Sequence, residues 1–321
     1  MKRVLFIGGR GHFYLGRSIQ AGLAEKVGYA GDGYDNAAAK EKAGDGPFFE
    51  DYREAIDELK PDVVNVGAVY GHAGEINVEC LRRGLKVLSD KPVAATWEQL
   101  HAIEQVIDDD SILLTEFDFR SRPSFRAARQ AVLDGLIGEP VLVTAQKSYR
   151  WGNRPDFYKN REDYGGTLLW IASHGIDAVA YVAGQPMTRV SGHHGNVAKP
   201  DYRTMEDHVA VVYELANGGS ALVHADLLRP GAAPSHGDDR LRLVGSRGQL
   251  EVVDHRCTLI TNDAEPTDVT ALGREADIGR DLIAAIEGEM THFSTKQSLE
   301  MARLLLVSRD ACDQNQWLDV T

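Results

Sequence analysis

The residues best suited to chemistry begin at Ile7-Gly8-Gly9-Arg10-Gly11-His12-Phe13, just after the apolar run Arg3–Ile7. Glycines between a strand and a helix permit a tight turn and let backbone N–H groups approach a pyrophosphate. Gly9, Arg10, Gly11, His12 and Phe13 are therefore candidate dinucleotide-binding residues. The pattern departs from the usual three glycines, because Tyr14 stands at the third place counted from Gly9. Asp32 follows Gly11 by 21 residues and closes the next strand signal, where an acid receives the ribose hydroxyls of NAD. Asp35 competes for that role, and both acids also suit turns beside Gly31 and Gly33. No arginine closely follows Asp32 to take a 2′-phosphate, so the pattern favours NAD over NADP.

Two later stretches carry groups for proton and oxygen chemistry. Ser89-Asp90-Lys91-Pro92 ends an apolar strand. Ligands of open α/β sheets bind outside strand carboxyl ends, so Lys91 can donate to a substrate oxygen there, while a surface lysine beside a proline is the alternative. Gly165-Gly166 leads into a helix bearing Trp170 and, one turn on, His174. A histidine titrates near neutrality and suits a general acid/base, although a lone helical histidine is more often structural or at the surface than catalytic. Trp170 and His174, one turn apart, face the same way. Tyr70 and His72, after a buried strand, are expected to border the cofactor, as are Asp90 and Lys91; His72 equally suits a helix start. Arg120 and Arg122 face a cleft or pair with acids. The polar-aromatic stretch Tyr149, Trp151, Asn153, Arg154, Tyr158 suits a polyhydroxylated ligand or an oligomer contact, and His236 lies in a loop that either closes over a substrate or is simply solvated.

Composition narrows the function classes. The 321 residues carry a formal charge of −13, against the basic face that nucleic acid or an anionic membrane surface requires. At 43% hydrophobic and 26% charged, the chain has the makeup of a globular protein. No apolar run nears a membrane span and no secretory signal is legible, so a soluble, cytoplasmic protein is expected. Cys80, Cys257 and Cys312 are dispersed and odd in number, which suits reduced thiols. His193-His194 points to opposite faces of a strand, and no metal site is expected.

Strand and helix signals alternate through the first 120 residues. Helices are expected over about Phe13–Lys26, Tyr52–Leu59 and Gly74–Arg83, with Gly84 as C-cap, and another begins at the capping box Thr96/Gln99. Strands are expected at Arg3–Ile7, Val27–Gly31, Asp62–Ala68, Lys86–Ser89 and Ile112–Phe119. That alternation implies a parallel sheet with right-handed crossovers. Beyond Pro123 come a helix to about Leu136, an alternating strand Val141–Tyr149, and a hairpin through Asn217-Gly218. Leu241–Val244 and Leu250–Val253 flank a further turn, and helices over Ile278–Glu287 and Thr295–Asp313, the second capped by Ser294 with Gln297, close the chain. The fold class is α/β with an added antiparallel α+β part, divided as 1–120 and 121–321.

Taken together, the glycine loop, Asp90-Lys91-Pro92, Arg120-Ser-Arg-Pro123, Gly135-Leu-Ile-Gly-Glu139, the stretch from Gly165-Gly166 to His174-Gly-Ile-Asp177, and Gly245–Val252 resemble the Gfo/Idh/MocA oxidoreductases over nearly the whole length. The resemblance implies an N-terminal Rossmann domain and a C-terminal α+β domain with an open, mostly antiparallel sheet that serves oligomer contacts, giving a homodimer or homotetramer. It implies hydride transfer between NAD(P) and a hydroxyl or keto carbon of a sugar or cyclitol. Lys91 then matches the family lysine that hydrogen-bonds the reacting oxygen, and His174 the family acid/base. Arg120, Tyr158, Trp170, His174 and His236 are the expected substrate-binding residues. Trp170 stands where the family carries aspartate, so its ring either stacks on a sugar face or fills the core, a departure that leaves open a redox-cycling epimerase or lyase, or a cofactor-binding metabolite sensor.

Overall fold

A computed structural model describes residues 1–115, 117–202, 204–273, 278–289 and 291–320. The chain divides into two compact units. The first comprises Met1–Glu116, Arg161–Gly165 and Asp277–Arg303; the second comprises Phe117–Asn160, Gly166–Ala276 and Leu304–Thr321. The chain thus re-enters the first unit twice after leaving it.

The first unit is built on a six-stranded parallel sheet. Its strands are β1 (Lys2–Ile7), β2 (Ala24–Ala30), β3 (Phe48–Phe49), β4 (Val63–Val66), β5 (Lys86–Ser89) and β6 (Leu113–Thr115). Their order is β3-β2-β1-β4-β5-β6. The order reverses direction between β1 and β4, which sets a crevice beyond their carboxyl ends. β1 and β4 read as apolar runs because helices cover both faces, and Val4 to Ile7 are all buried. The connecting helices are α1 (Leu15–Gln20), α2 (Asn36–Ala43), α3 (Tyr52–Leu59), α4 (Ala73–Arg82) and α5 (Trp97–Glu104). Thr96 caps α5 by accepting from the Gln99 N–H at 3.2 Å, as its capping box predicts.

The first helix is much shorter than the expected Phe13–Lys26. Gly22 adopts φ 70° and closes it, and the Leu23 N–H turns back to the Ser18 carbonyl at 2.8 Å. The released residues from Ala24 onward pair in parallel with β1. The helix α2 and the short β3 carried no sequence expectation. Leu282, Ile286 and Phe293 pack in one core with Val4, Phe6, Leu15 and Leu88, so the late helix α9 (Ile278–Ile286) belongs to this unit.

The second unit holds α6 (Pro123–Leu133), α8 (Ser173–Ala183), and a nine-stranded sheet; the single-turn helix α7 (Arg161–Tyr164) lies between them in sequence and belongs to the first unit. The strands are β7 (Pro140–Arg150), β8 (Met187–Gly195), β9 (His208–Leu215), β10 (Ser220–Arg229), β11 (Gly237–Gly245), β12 (Gly248–Val253), β13 (Arg256–Thr261), β14 (Thr267–Asp268) and β15 (Leu318–Asp319). They lie in the order β14-β13-β12-β11-β7-β10-β9-β8-β15, antiparallel except that β10 runs parallel to β7. β9 and β10 form the hairpin expected through Asn217-Gly218. On α6 the buried side is Phe125, Ala127, Ala128 and Ala131; Leu136, where the helix was expected to end, lies past its end and is 38% exposed. The long helix α10 (Thr295–Gln314) has its Ser294 cap, with Gln297 N–H donating at 3.2 Å. Among the described residues no helix is long and apolar enough to cross a membrane, and no group of three His, Cys, Asp or Glu is placed to hold a metal.

Candidate active site

In the first unit the carboxyl ends of β1, β4 and β5 bring three sequence motifs together. Gly8 turns the chain off β1 with φ 84°. The N–H groups of Arg10 and Gly11 both donate to the Gly67 carbonyl, each at 2.9 Å. A Cβ on Gly9 would lie 2.2 Å from the Ala38 carbonyl carbon, and one on Gly11 2.5 Å from Gly67 Cα and 2.9 Å from Asp90 Oδ2. Glycine is required at both positions because the loop lies directly on its neighbours. The His12 N–H donates to Asp90 Oδ2 at 2.7 Å, and the His12 ring Nδ1 lies 3.1 Å from the same oxygen.

Asp90 Oδ1 accepts from the Lys91 N–H at 2.8 Å, and the Lys91 ammonium lies 3.9 Å from that oxygen. Both residues are buried, Lys91 at 2% exposure. Burial alone would raise the Asp90 carboxyl, but the Lys91 charge and the His12 contacts hold it below the usual carboxylate range.

The two acids weighed for the ribose separate clearly. Asp32 is 2% exposed and turned inward: Oδ1 accepts from the Tyr34 and Asp35 N–H groups at 2.9 and 2.7 Å, and Oδ2 from the Val69 N–H at 2.8 Å. It ties the loop after β2 to the loop after β4. Asp35 caps α2 and holds Arg10, whose Nε lies 2.6 Å from Asp35 Oδ2, and its side chain is 23% exposed. Phe13, expected on the cofactor, instead sets its ring edge-on against Phe6 at 5.1 Å and packs on the core. Its side chain follows the apolar face of the sheet. The Tyr70 hydroxyl donates to the Arg10 carbonyl at 3.2 Å. His72 stacks on Tyr34 at 3.5 Å and lies 2.7 Å from Asp163 of α7.

In the second unit His174 occupies the first turn of α8, just after a π-helical turn over Leu168–Ala172. It is 3% exposed, and the Phe119 ring lies 5.5 Å away. Its Nδ1 is 3.4 Å from Asp118 Oδ1. Asp118 opens a 3₁₀ turn over Asp118–Ser121. The other Asp118 oxygen accepts from Arg122 Nε at 3.0 Å, and Arg122 Nη1 continues to Asp239 Oδ2 at 2.6 Å. Lys147, 1% exposed, lies 2.7 Å from Asp239 Oδ1, between the rings of Phe119 at 4.4 Å and Tyr149 at 4.6 Å. Burial would lower the Lys147 ammonium, but Tyr149 and the carboxylates of Asp239 and Asp118 raise it above its ordinary value. Burial likewise opposes the Arg122 charge, and the same two carboxylates outweigh it.

The remaining expected substrate-binding residues have these places. Arg120, 6% exposed, grips Asp177 with Nε and Nη2, with Nε 3.0 Å from Oδ1. Its guanidinium fastens the 3₁₀ turn to α8. Trp170 is 4% exposed and Tyr158 1%. Arg154 reaches the Tyr158 hydroxyl at 3.5 Å. His236 lies on an exposed loop with its ring 4.9 Å from Tyr149; desolvation first, then Arg154, Arg150 and Lys147, lowers its pKa. Sequence reasoning missed Asp118, Lys147, Asp239 and Asp163. One signal was available: Lys147 falls on the same strand parity as the buried Val143 and Ala145.

The profile of the oxidoreductase family with an NAD-binding Rossmann fold matches residues 2–116, and that of the GFO/IDH/MocA C-terminal domain matches residues 125–251. The chain belongs to the Gfo/Idh/MocA oxidoreductase family. A solved structure from Thermotoga maritima, known as an oxidoreductase without a named substrate, superposes with a TM-score of 0.91 at 30% identity, covering 99% of each chain. The D-glucoside 3-dehydrogenase of Escherichia coli K12 is 28% identical over 202 residues, which is 57% of this chain and 56% of that protein. The scyllo-inositol 2-dehydrogenase (NAD(+)) of Bacillus subtilis 168 is 21% identical over 252 residues, 77% of this chain and 72% of that one. The match therefore spans little more than half of the glucoside dehydrogenase. Within this family the parallel-sheet unit is the NAD-binding Rossmann domain, and the nine-stranded sheet belongs to the C-terminal domain.

Proposed function

We propose that this family member is an NAD-dependent dehydrogenase acting on a hydroxyl or keto carbon of a sugar or cyclitol. The observation that carries the reading is the buried ammonium of Lys91 at the carboxyl end of β5, beside the glycine loop. Such a group suits an oxygen that gains negative charge during reaction. The family's inositol and glucoside dehydrogenases support the substrate class.

The residues of the first unit fit a dinucleotide. The glycine loop lies flat over the strand ends, and its side chains Arg10 and His12 are partly exposed. Asp35, with Arg10 neutralised on it, is the acid we assign to the adenosine ribose, and Asp32 the acid that shapes the loops. Asp35 keeps the Arg10 guanidinium engaged and so withheld from a 2′-phosphate, which favours NAD over NADP. NAD, when bound, accepts the hydride from the hydroxyl-bearing carbon. Lys91 stabilises the oxygen, and His174 takes the hydroxyl proton as the carbonyl forms. A homodimer or homotetramer through the outward face of the nine-stranded sheet fits the 41% and 42% exposure of Leu222 and Leu228 on one face of β10.

NADH formation followed at 340 nm against a panel of cyclitols and sugars tests the reading. Lys91→Ala should retain NAD binding by calorimetry and lose about 10²-fold or more in kcat, as loss of one oxyanion donor does. Normal turnover by that variant, or no turnover of any polyol by the native enzyme, overturns it.

A further inference from the structure

We propose that Asp118 is the positioning carboxylate of His174, orienting the imidazole through Nδ1 and stabilising the imidazolium formed during the reaction. The proposal rests on the dehydrogenase reading for its catalytic consequence, but its geometry stands by itself. A ring 3% exposed that takes up a proton needs an opposite charge close by, because water does not solvate it.

The helix carrying His174 does not provide that charge. One turn before it, Trp170 is uncharged. One turn after it, Asp177 is gripped by Arg120. On the elements packed against α8, Asp239 is held by both Arg122 and Lys147, and Asp226 accepts from the Ser148 hydroxyl at 2.8 Å. Among the described residues, Asp118 is a carboxylate that reaches His174, with Oδ1 at 3.4 Å from Nδ1.

Its own orientation is imposed from the far side. Arg122 bridges Asp118 and Asp239, and Lys147 anchors Asp239 from within the sheet. The two carboxylates and two cations balance, so uptake of one proton by His174 leaves one net positive charge next to Asp118. The proposed tautomer carries Nδ1–H toward Asp118, an ion-pair approach rather than a closed hydrogen bond, and the lone pair on Nε2. In polyol oxidation the substrate O–H bond breaks and its proton goes to Nε2. The C–H electron pair leaves as hydride to NAD, the C=O bond forms, and Asp118 stays a carboxylate throughout.

The test combines heteronuclear NMR of His174, with its signal assigned by loss in His174→Gln, and pH profiles of kcat. In the native protein at high pH, ring ¹⁵N shifts should report the Nδ1–H tautomer; the Nε2–H tautomer would overturn the proposal without any variant. Asp118→Asn should lower the His174 titration midpoint by about one to three pH units, the effect of removing an opposite charge at this range. It should lower kcat by about 10- to 100-fold with KM within about threefold, and Asp118→Glu should recover part of both. An unmoved midpoint, or a rise in KM alone, sinks the assignment even if the native enzyme turns over polyols. A shifted midpoint in a protein that turns over none keeps Asp118 as the partner of His174 and removes the dehydrogenase reading instead.

Discussion

Removing the Arg120 guanidinium separates the two roles its sequence position left open, facing a substrate cleft or pairing with an acid. In the structure it makes a two-nitrogen contact with Asp177, which is 0% exposed. Arg120→Ala leaves that carboxyl buried without its cation. Breaking one side of a buried pair costs about 3–5 kcal/mol. The second unit contains roughly 170 residues, for which each kcal/mol moves the melting midpoint by about 2–4 °C, so a fall of about 6–20 °C is expected. Burial already drives the Asp177 carboxyl upward and Arg120 opposes that rise. In the variant the folded carboxyl therefore titrates well above its unfolded value near 3.9. The penalty is then least below about pH 4, where both states are protonated, and grows as pH rises toward the folded value. Arg120→Met with Asp177→Leu removes both charges and should restore most of the midpoint. Differential scanning calorimetry from pH 4 to 8, with KM measured on the folded fraction, checks the whole chain of reasoning. A midpoint within about 2 °C of the native value with a tenfold higher KM would refute it and make Arg120 a substrate ligand.

Asp32→Ala strands three N–H groups and should cost about 1–3 kcal/mol for the buried Val69 donor alone, read as a lower midpoint of the first unit. Asp35→Ala should cost only about 1 kcal/mol as a lost cap while releasing Arg10, so calorimetry should show NADP binding strengthened relative to NAD; an unchanged ratio would reject Asp35 as the ribose acid. Because the Asp90 carboxyl is held below its ordinary range, its contribution is complete above about pH 4 and is lost as pH falls through the folded value. The urea midpoint should accordingly drop more steeply between pH 4.5 and 3 in the native protein than in Asp90→Asn, and parallel curves would exclude that linkage. Gly11→Ala places a methyl 2.5 Å from Gly67 Cα and should abolish NAD binding through displacement of the loop, with retained affinity as the refuting result.

The parts legible in the sequence are those written in local pattern. The run Val4–Ile7 and the glycines after it, the Thr96 cap, the hairpin at Asn217-Gly218 and the alternation of β7 each depend on residues within a few places of one another. The groups that organise His174 depend on residues distant in the chain. Arg120 meets Asp177 across 57 residues and Arg122 meets Asp239 across 117, and no periodicity announces such pairs. Asp32 shows a subtler limit: spacing located an acid at the end of β2 but not which way its oxygens turn, because three backbone N–H groups from two loops decide that. The direction of the Phe13 ring was hidden for a similar reason, since the apolar sheet face attracts it more than an exposed loop edge does.

The interrupted course of the chain also sets a timetable. Val4, Phe6 and Leu15 share their core with Leu282, Ile286 and Phe293, so the first unit lacks part of its interior until the ribosome has passed Phe293. Between the last strand of its sheet and that residue lie roughly 180 residues, and at about 5–20 residues per second their synthesis takes about 9–36 s. For that interval the face awaiting α9 is uncovered apolar surface on a nascent polypeptide. Release of a chain cut near residue 120 would make the delay permanent, so the N-terminal fragment expressed alone should require a chaperone or aggregate, whereas full-length translation closes the gap.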